Sequence, residues 1–475
     1  MQETILNIVK TANAYLSDYI LIILLVGVGL FFTIKTRFVQ VRCFGEGLKQ
    51  VFGGLSLRGG KNKSGLSSFQ ALATAIAAQV GTGNIVGASG AILVGGPGAI
   101  FWMWIIAFLG MATIYSEAVL AQETRIKGQD GEIHGGPVYY IKKAFPNGFG
   151  KFLAGFFAVA AVLALGFMGS MVQSNSIAET CLNAFNIPVW VMGVAVALFS
   201  AFIFLGGVQR LAAVTEKMVP LMALLYIIGG LVILGINFKQ IPETFGMIFR
   251  FAFTPEALIG GGIGAALKTA ISQGAKRGLF SNEAGMGSTP HAHAMANVAK
   301  PHDQGVAAMI GVFIDTFIVL TMTALVVISC LYAGEGGLGN MTSEAYLAAT
   351  TGENAIYAKT TLMQTAFSGA IGNEAVGKIF VAICLFFFAL STIIGWNFFG
   401  KINAQYLTKN SKVGTVLYAI ISIAFIFLGS ILSNDLVWEL TDFFNYLMVI
   451  PNVIALVALA KVVANAAKSA KKDKK

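Results

Sequence analysis

Within a long apolar stretch, Gln79-Val80-Gly81-Thr82-Gly83-Asn84 sets two glycines among three polar side chains. A membrane helix interrupted there would expose carbonyls and amides at membrane depth. Such backbone is tolerated only where protein buries it or where it lines a cavity. The chemistry available to it is recognition: carbonyls for a cation, amides for an anion. Secondary transporters build ion and substrate sites on discontinuous helices of this kind. A second segment, near 257–287, has the same character. Gly260, Gly261, Gly262 and Gly264 precede a stretch in which Thr269, Ser272 and Gln273 lie beside Gly274. Close helix packing on small residues accounts for Gly155, Gly166 and Gly169. It does not account for Gln79, Thr82 and Asn84, because unpaired polar groups in hydrocarbon are costly.

The elements that would hold these segments are membrane helices. The 475 residues are 56% hydrophobic and 11% charged, with a mean hydropathy of +0.76. Apolar runs long enough to span recur from end to end, about 20 residues sufficing per crossing. They predict an all-α polytopic membrane protein of about eleven spans. The runs lie near 15–36, 68–94, 98–122, 151–179, 188–207, 211–235, 257–287, 304–333, 375–405, 413–432 and 436–461. Met1 to Lys10 lacks the pattern of a cleavable signal. Segment 334–372 is a long external connection.

The glycine-broken segments are the second and seventh spans. With the first span set aside as an extra, each opens a set of five. An odd-numbered unit reappears upside down, which is the inverted-repeat arrangement. The expected units are 1–66 (extra span and basic loop), 67–236 and 237–462 (five spans each) and 463–475 (basic tail).

The net charge of +10 could suggest nucleic acid, but its placement argues for topology. Arg37, Arg42, Lys49, Arg58, Lys61 and Lys63 follow the first span, Arg125, Lys127, Lys142 and Lys143 the third, and Lys468, Lys471, Lys472, Lys474 and Lys475 close the chain. Positive-inside reasoning then puts the N-terminus outside and the C-terminus in the cytoplasm. Cys43, Cys181, Cys330 and Cys384 show no metal or redox spacing.

Gly95-Gly96-Pro97-Gly98-Ala99-Ile100-Phe101-Trp102-Met103-Trp104-Ile105-Ile106-Ala107-Phe108-Leu109-Gly110-Met111 resembles the signature of the alanine/glycine:cation symporter family. Gly278-Leu279-Phe280-Ser281-Asn282-Glu283-Ala284-Gly285-Met286-Gly287-Ser288 is similar to that family as well. The resemblance covers about 65 to 450. It implies a sodium-coupled amino-acid symporter of the cell membrane, with the LeuT-type five-plus-five fold and alanine and glycine as typical substrates. Na+ would be the co-transported ion, with no organic cofactor. Ala77 to Asn84 also resembles the unwound helix of neurotransmitter:sodium symporters. By resemblance, the carbonyls of Ala77 and Val80 join the Ser391 and Thr392 hydroxyls at one sodium site. A second would use the Gln79 carbonyl, the Asn84 side chain and Thr269.

A small zwitterion presents a carboxylate and an ammonium a few ångströms apart. The helix resuming after Gly81 offers the Thr82 and Gly83 amides and a positive dipole end to the carboxylate. For the ammonium, the candidates are carbonyls of Thr269 to Ile271 with the Ser272 hydroxyl or Gln273 amide. Gly166, Phe167 and Trp396 would form the side-chain wall. Trp396 lies about one helical turn beyond Thr392, so both can face one cavity. Trp102 and Trp104 are expected to anchor or pack rather than bind.

Intramembrane ionisable residues are functional candidates by default. Glu117, Glu216, Lys217, Lys268, Asp315 and Glu439 qualify, with Lys268 expected to pair with Asp315 or Glu117. Lys276 and Arg277 are expected beyond the second break, as an inner gate with Glu283. Two rival functions remain at this level. A membrane enzyme could use His291 and His293, but two imidazoles fall short of a metal's usual three or four ligands. A cation channel would pass ions without obligatory coupling to substrate.

Overall fold

The computed structural model describes residues 2–53, 66–127, 133–204, 207–351 and 355–472. Arg58, Lys61, Lys63, Glu353, Lys474 and Lys475 lie outside them. Among the described residues the architecture is helical apart from one short antiparallel strand pair, which sets Ile126 against His134, and a single bridge between Leu66 and Ala296.

In chain order the principal helices are α1 (Gln2–Lys35), α2 (Phe44–Phe52), α3 (Ser68–Gln79), α4 (Ala88–Gly95), α5 (Ala99–Thr124) and α6 (Gly148–Phe185). Then come α7 (Val189–Phe204), α8 (Gly207–Ile236), α9 (Ile263–Asn282), α10 (Pro290–Ala294) and α11 (Pro301–Tyr332). The last three are α12 (Glu374–Leu407), α13 (Lys412–Ile431) and α14 (Asn434–Ala458). Among the described residues, eight helices are long and apolar enough to cross a membrane, or nine if the bent pair around Gly81 counts as one span. Two of the eleven expected spans fall outside that class. Helix α7 has only 16 residues. Helix α9 carries Lys268, Lys276 and Arg277 within its 20 residues.

Sequence explains where the first broken helix starts and stops. Ser67 and Gln70 form a reciprocal capping box at the start of α3. At Val80 the backbone turns extended (φ −79°, ψ 90°) and α3 ends. A wide π-type turn, Gly83–Gly87, restarts the chain into α4, and the two pieces are bent by 46°. Gly96, at φ 72°, closes α4 ahead of Pro97.

The second interruption lies elsewhere than expected. Helix α9 runs without a break through Thr269, Ile271, Ser272, Gln273 and Gly274. Gly274 serves packing instead: a Cβ there would sit 2.5 Å from Trp102 Cβ. The chain unwinds only after Asn282, where Glu283 (φ 60°), Gly285 (φ 95°) and Gly287 (φ 80°) take left-handed conformations. Pro290 then opens the short α10.

The two broken segments run past each other in opposite directions. Helix α9 packs on α4, while α10 packs on α3. At the far end, the Leu66 amide donates to Met295 O (3.0 Å) and Leu66 O accepts from the Asn297 amide (2.9 Å). Both interruptions are therefore brought to one level in the middle of the molecule, flanked by α6, α11, α12 and α14.

Candidate functional site

At the first interruption the helix ends leave groups that local structure cannot satisfy. The Gly81 amide donates to Asn84 Oδ1 (3.0 Å). The Thr82 amide donates to Gln173 Oε1 (3.1 Å), from α6. The Thr82 hydroxyl and Gln173 Nε2 are buried with no hydrogen-bond partner among the described residues. A Cβ on Gly81 would collide with Thr392 Oγ1, and one on Gly83 would lie 3.0 Å from both Phe280 Cδ1 and Ser281 Cα. Both glycines are thus required by close approach of α12 and of the end of α9.

The second interruption supplies the opposite polarity. In a continuing helix, the Ala284 and Gly285 amides would close on the Phe280 and Ser281 carbonyls. Here Ala284 N donates to Asn282 Oδ1 (3.0 Å), and Gly285 N to Glu117 Oε2 (3.2 Å). The last carbonyls of α9 are released beside Gly83, at the negative end of that helix. Glu117 also accepts from the Gly287 amide (3.0 Å) and from Asn452 Nδ2 (2.6 Å), so one buried carboxylate holds the unwound turn from α5. Gln79 Nε2 donates to Asn282 O (2.7 Å), tying the two interruptions together.

A carboxylate stands at their junction. Asp315 accepts from Asn84 Nδ2 (2.7 Å), Ser281 Oγ (2.9 Å) and Thr316 Oγ1 (2.9 Å). It is fully buried, and each of its partners in these bonds is neutral. On the other side of the break, Thr392 Oγ1 donates to Ala77 O (3.1 Å), and Ser391 Oγ reaches Val80 O (3.5 Å). Both hydroxyls also bond back to Phe388 O, as Ser and Thr do in membrane helices. Ala77, Val80, Ser391 and Thr392, expected together, do come together.

The wall differs in part from expectation. Trp396 is buried; its Nε1 donates to Glu283 Oε1 (2.6 Å), and its ring packs edge-on to Phe280 at 5.5 Å. Phe280 also meets Trp438, at 4.7 Å. Gly166 and Phe167 face away from this group. Gly166 O accepts from Ser422, and Phe167 stacks on Tyr418 and Phe425, both from α13. The π-type turn Val162–Met168 widens the helix there and rotates the face that follows. The residues of α6 at the site are instead Gly169, where a Cβ would strike the Trp396 ring, and Gln173.

Thr269, Ile271, Ser272 and Gln273 are not at the break. Thr269 precedes the end of α9 by 13 residues, on the order of 20 Å of helix. Its hydroxyl bonds Ala265 O. Ser272 donates to Asp18 (2.6 Å), and Lys268 pairs with Asp18 (3.2 Å) rather than with Asp315 or Glu117. The shift follows from the left-handed residues lying at 283–287 instead of beside Gly274.

Gln273 lines a cavity of about 250 Å³ with Gly87, Gly90, Arg277, Lys359, Asp435 and Trp438 among its walls. Arg277 precedes the break and lies on the α4 side. It pairs with Asp442 (2.7 Å) and stacks over Trp438 at 4.7 Å. It is not an inner gate with Glu283, whose partners are Trp396 and Ser288. Lys359 pairs with Asp435 (3.2 Å) at the same cavity; burial pushes its ammonium below the usual lysine range against the pull of Asp435. The two indoles of the signature pack as expected: Trp102 Nε1 donates to Ala252 O and Trp104 Nε1 to Thr321 Oγ1. His291 and His293 are buried separately, on Asn403 and Gln304.

Sequence reasoning missed Gln173, Phe280, Ser281, Asn282 and Thr316 as site residues. A signal existed for two groups. Gln173-Ser174-Asn175-Ser176 is a polar run inside an apolar span, and Asp315 stood out as an intramembrane acid, though with Lys268 as its candidate partner.

Paired helix breaks with converging ends are the arrangement on which secondary transporters build ion and substrate sites. The phenylalanine-bound crystal structure of MhsT shares this fold, with a TM-score of 0.57 at 14% identity over 86% of this chain and 100% of that one. The sodium:alanine symporter family profile matches residues 2–475. The chain belongs to that family, and so is a transporter and not an enzyme. It is 39% identical to the sodium/alanine symporter AgcS of Methanococcus maripaludis, covering 98% of this chain and 96% of that protein. It is 38% identical to a probable sodium/glutamine symporter of Bacillus subtilis, covering 100% of this chain and 92% of that protein.

Proposed function

We propose that the protein imports alanine and glycine with sodium across the plasma membrane by alternating access. The observation that carries this reading is the convergence of freed carbonyls of α9 and the amides after Gly81 on one buried point. The substrate carboxylate would take the Thr82 and Gly83 amides together with Gln173 Nε2. The ammonium would take the Phe280 and Ser281 carbonyls. One sodium would be held by Ala77 O, Val80 O, Ser391 Oγ and Thr392 Oγ1. A second would use Gln79 O and Asn84, with Asp315 in the role first given to Thr269. Neutral donors alone surround the Asp315 carboxylate, which favours a cation beside it.

Phe280, Trp396 and Trp438 crowd the wall, which supports a small side chain over one as large as glutamine's. Sodium in the break would stabilise the state that accepts substrate, and linkage makes that effect reciprocal. The distribution of basic residues supports an external N-terminus and a cytoplasmic C-terminus. It also makes the Arg277 cavity the outer vestibule. The opposed α3–α4 and α9–α10 segments support a five-plus-five inverted repeat behind one extra helix.

Alanine uptake into proteoliposomes tests this. Accumulation should require an inward sodium gradient. Equal uptake driven by protons alone, or sodium flux independent of alanine, would sink the proposal.

A further inference from the structure

Away from the transport site, three potential metal ligands meet where α2 packs on the start of α11. Cys43 Sγ, a Glu46 carboxylate oxygen and a His302 ring nitrogen all lie within 4.8 Å of one another. Cys43 and His302 are buried and Glu46 is partly so. His302 Nε2 is 3.2 Å from Glu46 Oε1, and its Nδ1 is 2.7 Å from Tyr115 Oη on α5.

We infer that Cys43, Glu46 and His302 bind a borderline divalent transition metal ion, of which Zn2+ is the type, at the end of the membrane domain that carries the basic loop. Three features argue for it. The donor set is mixed thiolate, carboxylate and imidazole, which suits Zn2+ or Co2+ and disfavours sodium, magnesium and calcium. Tetrahedral zinc with ligand bonds of about 2.0–2.3 Å separates its ligands by roughly 3.3–3.8 Å, so a cluster whose ligand atoms lie within 4.8 Å of one another needs closure of at most about 1.5 Å. Finally, the imidazole is already oriented. With the proton on Nδ1, that nitrogen donates to Tyr115 Oη and leaves the Nε2 lone pair facing Glu46 and Cys43. Metal-bound histidines are held by such a second hydrogen bond.

Local structure brings two of the ligands together. Cys43 is the N-cap of the nine-residue α2, with Glu46 in its first turn. Neighbouring Arg42 donates to Thr36 O and Ala467 O. A simple His302–Glu46 ion pair would account for two of the three groups; the sulfur makes them a ligand set. Water would complete four-coordination. Occupancy would tie α2 to α11 and, through Tyr115, to α5.

Full-length protein, freed of any polyhistidine tag and stripped of metal under reducing conditions, is titrated with Co2+ and then Zn2+. One Co2+ per chain should bind with a sulfur-to-cobalt charge-transfer band and the intense visible bands of tetrahedral cobalt, and Zn2+ should displace it. Cys43→Ser should lose the charge-transfer band while its sodium-driven alanine uptake in metal-free buffer reports a folded protein. Tyr115→Phe should weaken binding by about 10–100-fold while keeping the band. Glu46→Gln and His302→Gln should weaken binding further. Absence of the band in the unaltered protein, or its survival in Cys43→Ser, would overturn the assignment.

Discussion

Replacing Asp315 with Asn tests the most specific part of the proposed ion chemistry. The side chain keeps its shape, so the packing of α11 on α9 and α4 is retained. What changes is charge and donor balance. The carboxylate now accepts from Asn84 Nδ2, Ser281 Oγ and Thr316 Oγ1; an amide has one acceptor oxygen and turns an N–H2 toward at least one of these donors. Interactions with a charged group are worth about 1.5–3 kcal/mol. At about 1.4 kcal/mol per tenfold, loss of one such interaction with sodium corresponds to roughly a 10–100-fold higher sodium requirement. The assay is initial alanine uptake into proteoliposomes as a function of sodium. The sodium concentration for half-maximal rate should rise by that factor. The alanine KM at saturating sodium should move far less, since no substrate contact is assigned to Asp315. A sodium dependence unchanged within about twofold in a folded, active variant would refute the role. A thermal unfolding curve separates this from a loss of stability.

Two further outcomes follow from the same geometry. Trp396→Ala should admit amino acids larger than alanine, read by competition of leucine or glutamine against labelled alanine uptake; an unchanged substrate profile would remove Trp396 from the pocket wall. Gly81→Ala should abolish transport, because its Cβ would strike Thr392 Oγ1 and lie 3.2 Å from Gln173 Oε1. Gly90→Ala, whose Cβ would meet Lys359 at an ordinary 3.6 Å, should retain transport; equal loss in both would mean that any methyl near the break is harmful.

Much of the site's first half was legible in the chain. Polar residues beside glycine at 79–84 can have few explanations in hydrocarbon, and Ser391-Thr392 sits mid-span at a depth that can reach them. The second half was misplaced because Gly274 and the glycines at 260–264 carry the same composition as a break. Gly274 is needed for helix contact with Trp102, which composition cannot distinguish from unwinding. The true interruption was written at Glu283, Gly285 and Gly287, inside the family-like motif, where only the backbone dihedrals mark it. Gly166 and Phe167 failed for a related reason: one wide turn in α6 rotates the helix face, and periodicity counted at 3.6 residues does not see it.

Hydropathy and local pattern alone determined a helical membrane transporter with a broken helix centred on Gly81. Those properties depend on neighbours in the chain and on the cost of bare backbone in lipid. Tertiary structure decided which helix ends meet. Asp315 joins Asn84 across 231 residues, and His302 joins Glu46 across 256. Contacts at such separations are set by how opposed helices cross, and no local spacing encodes them.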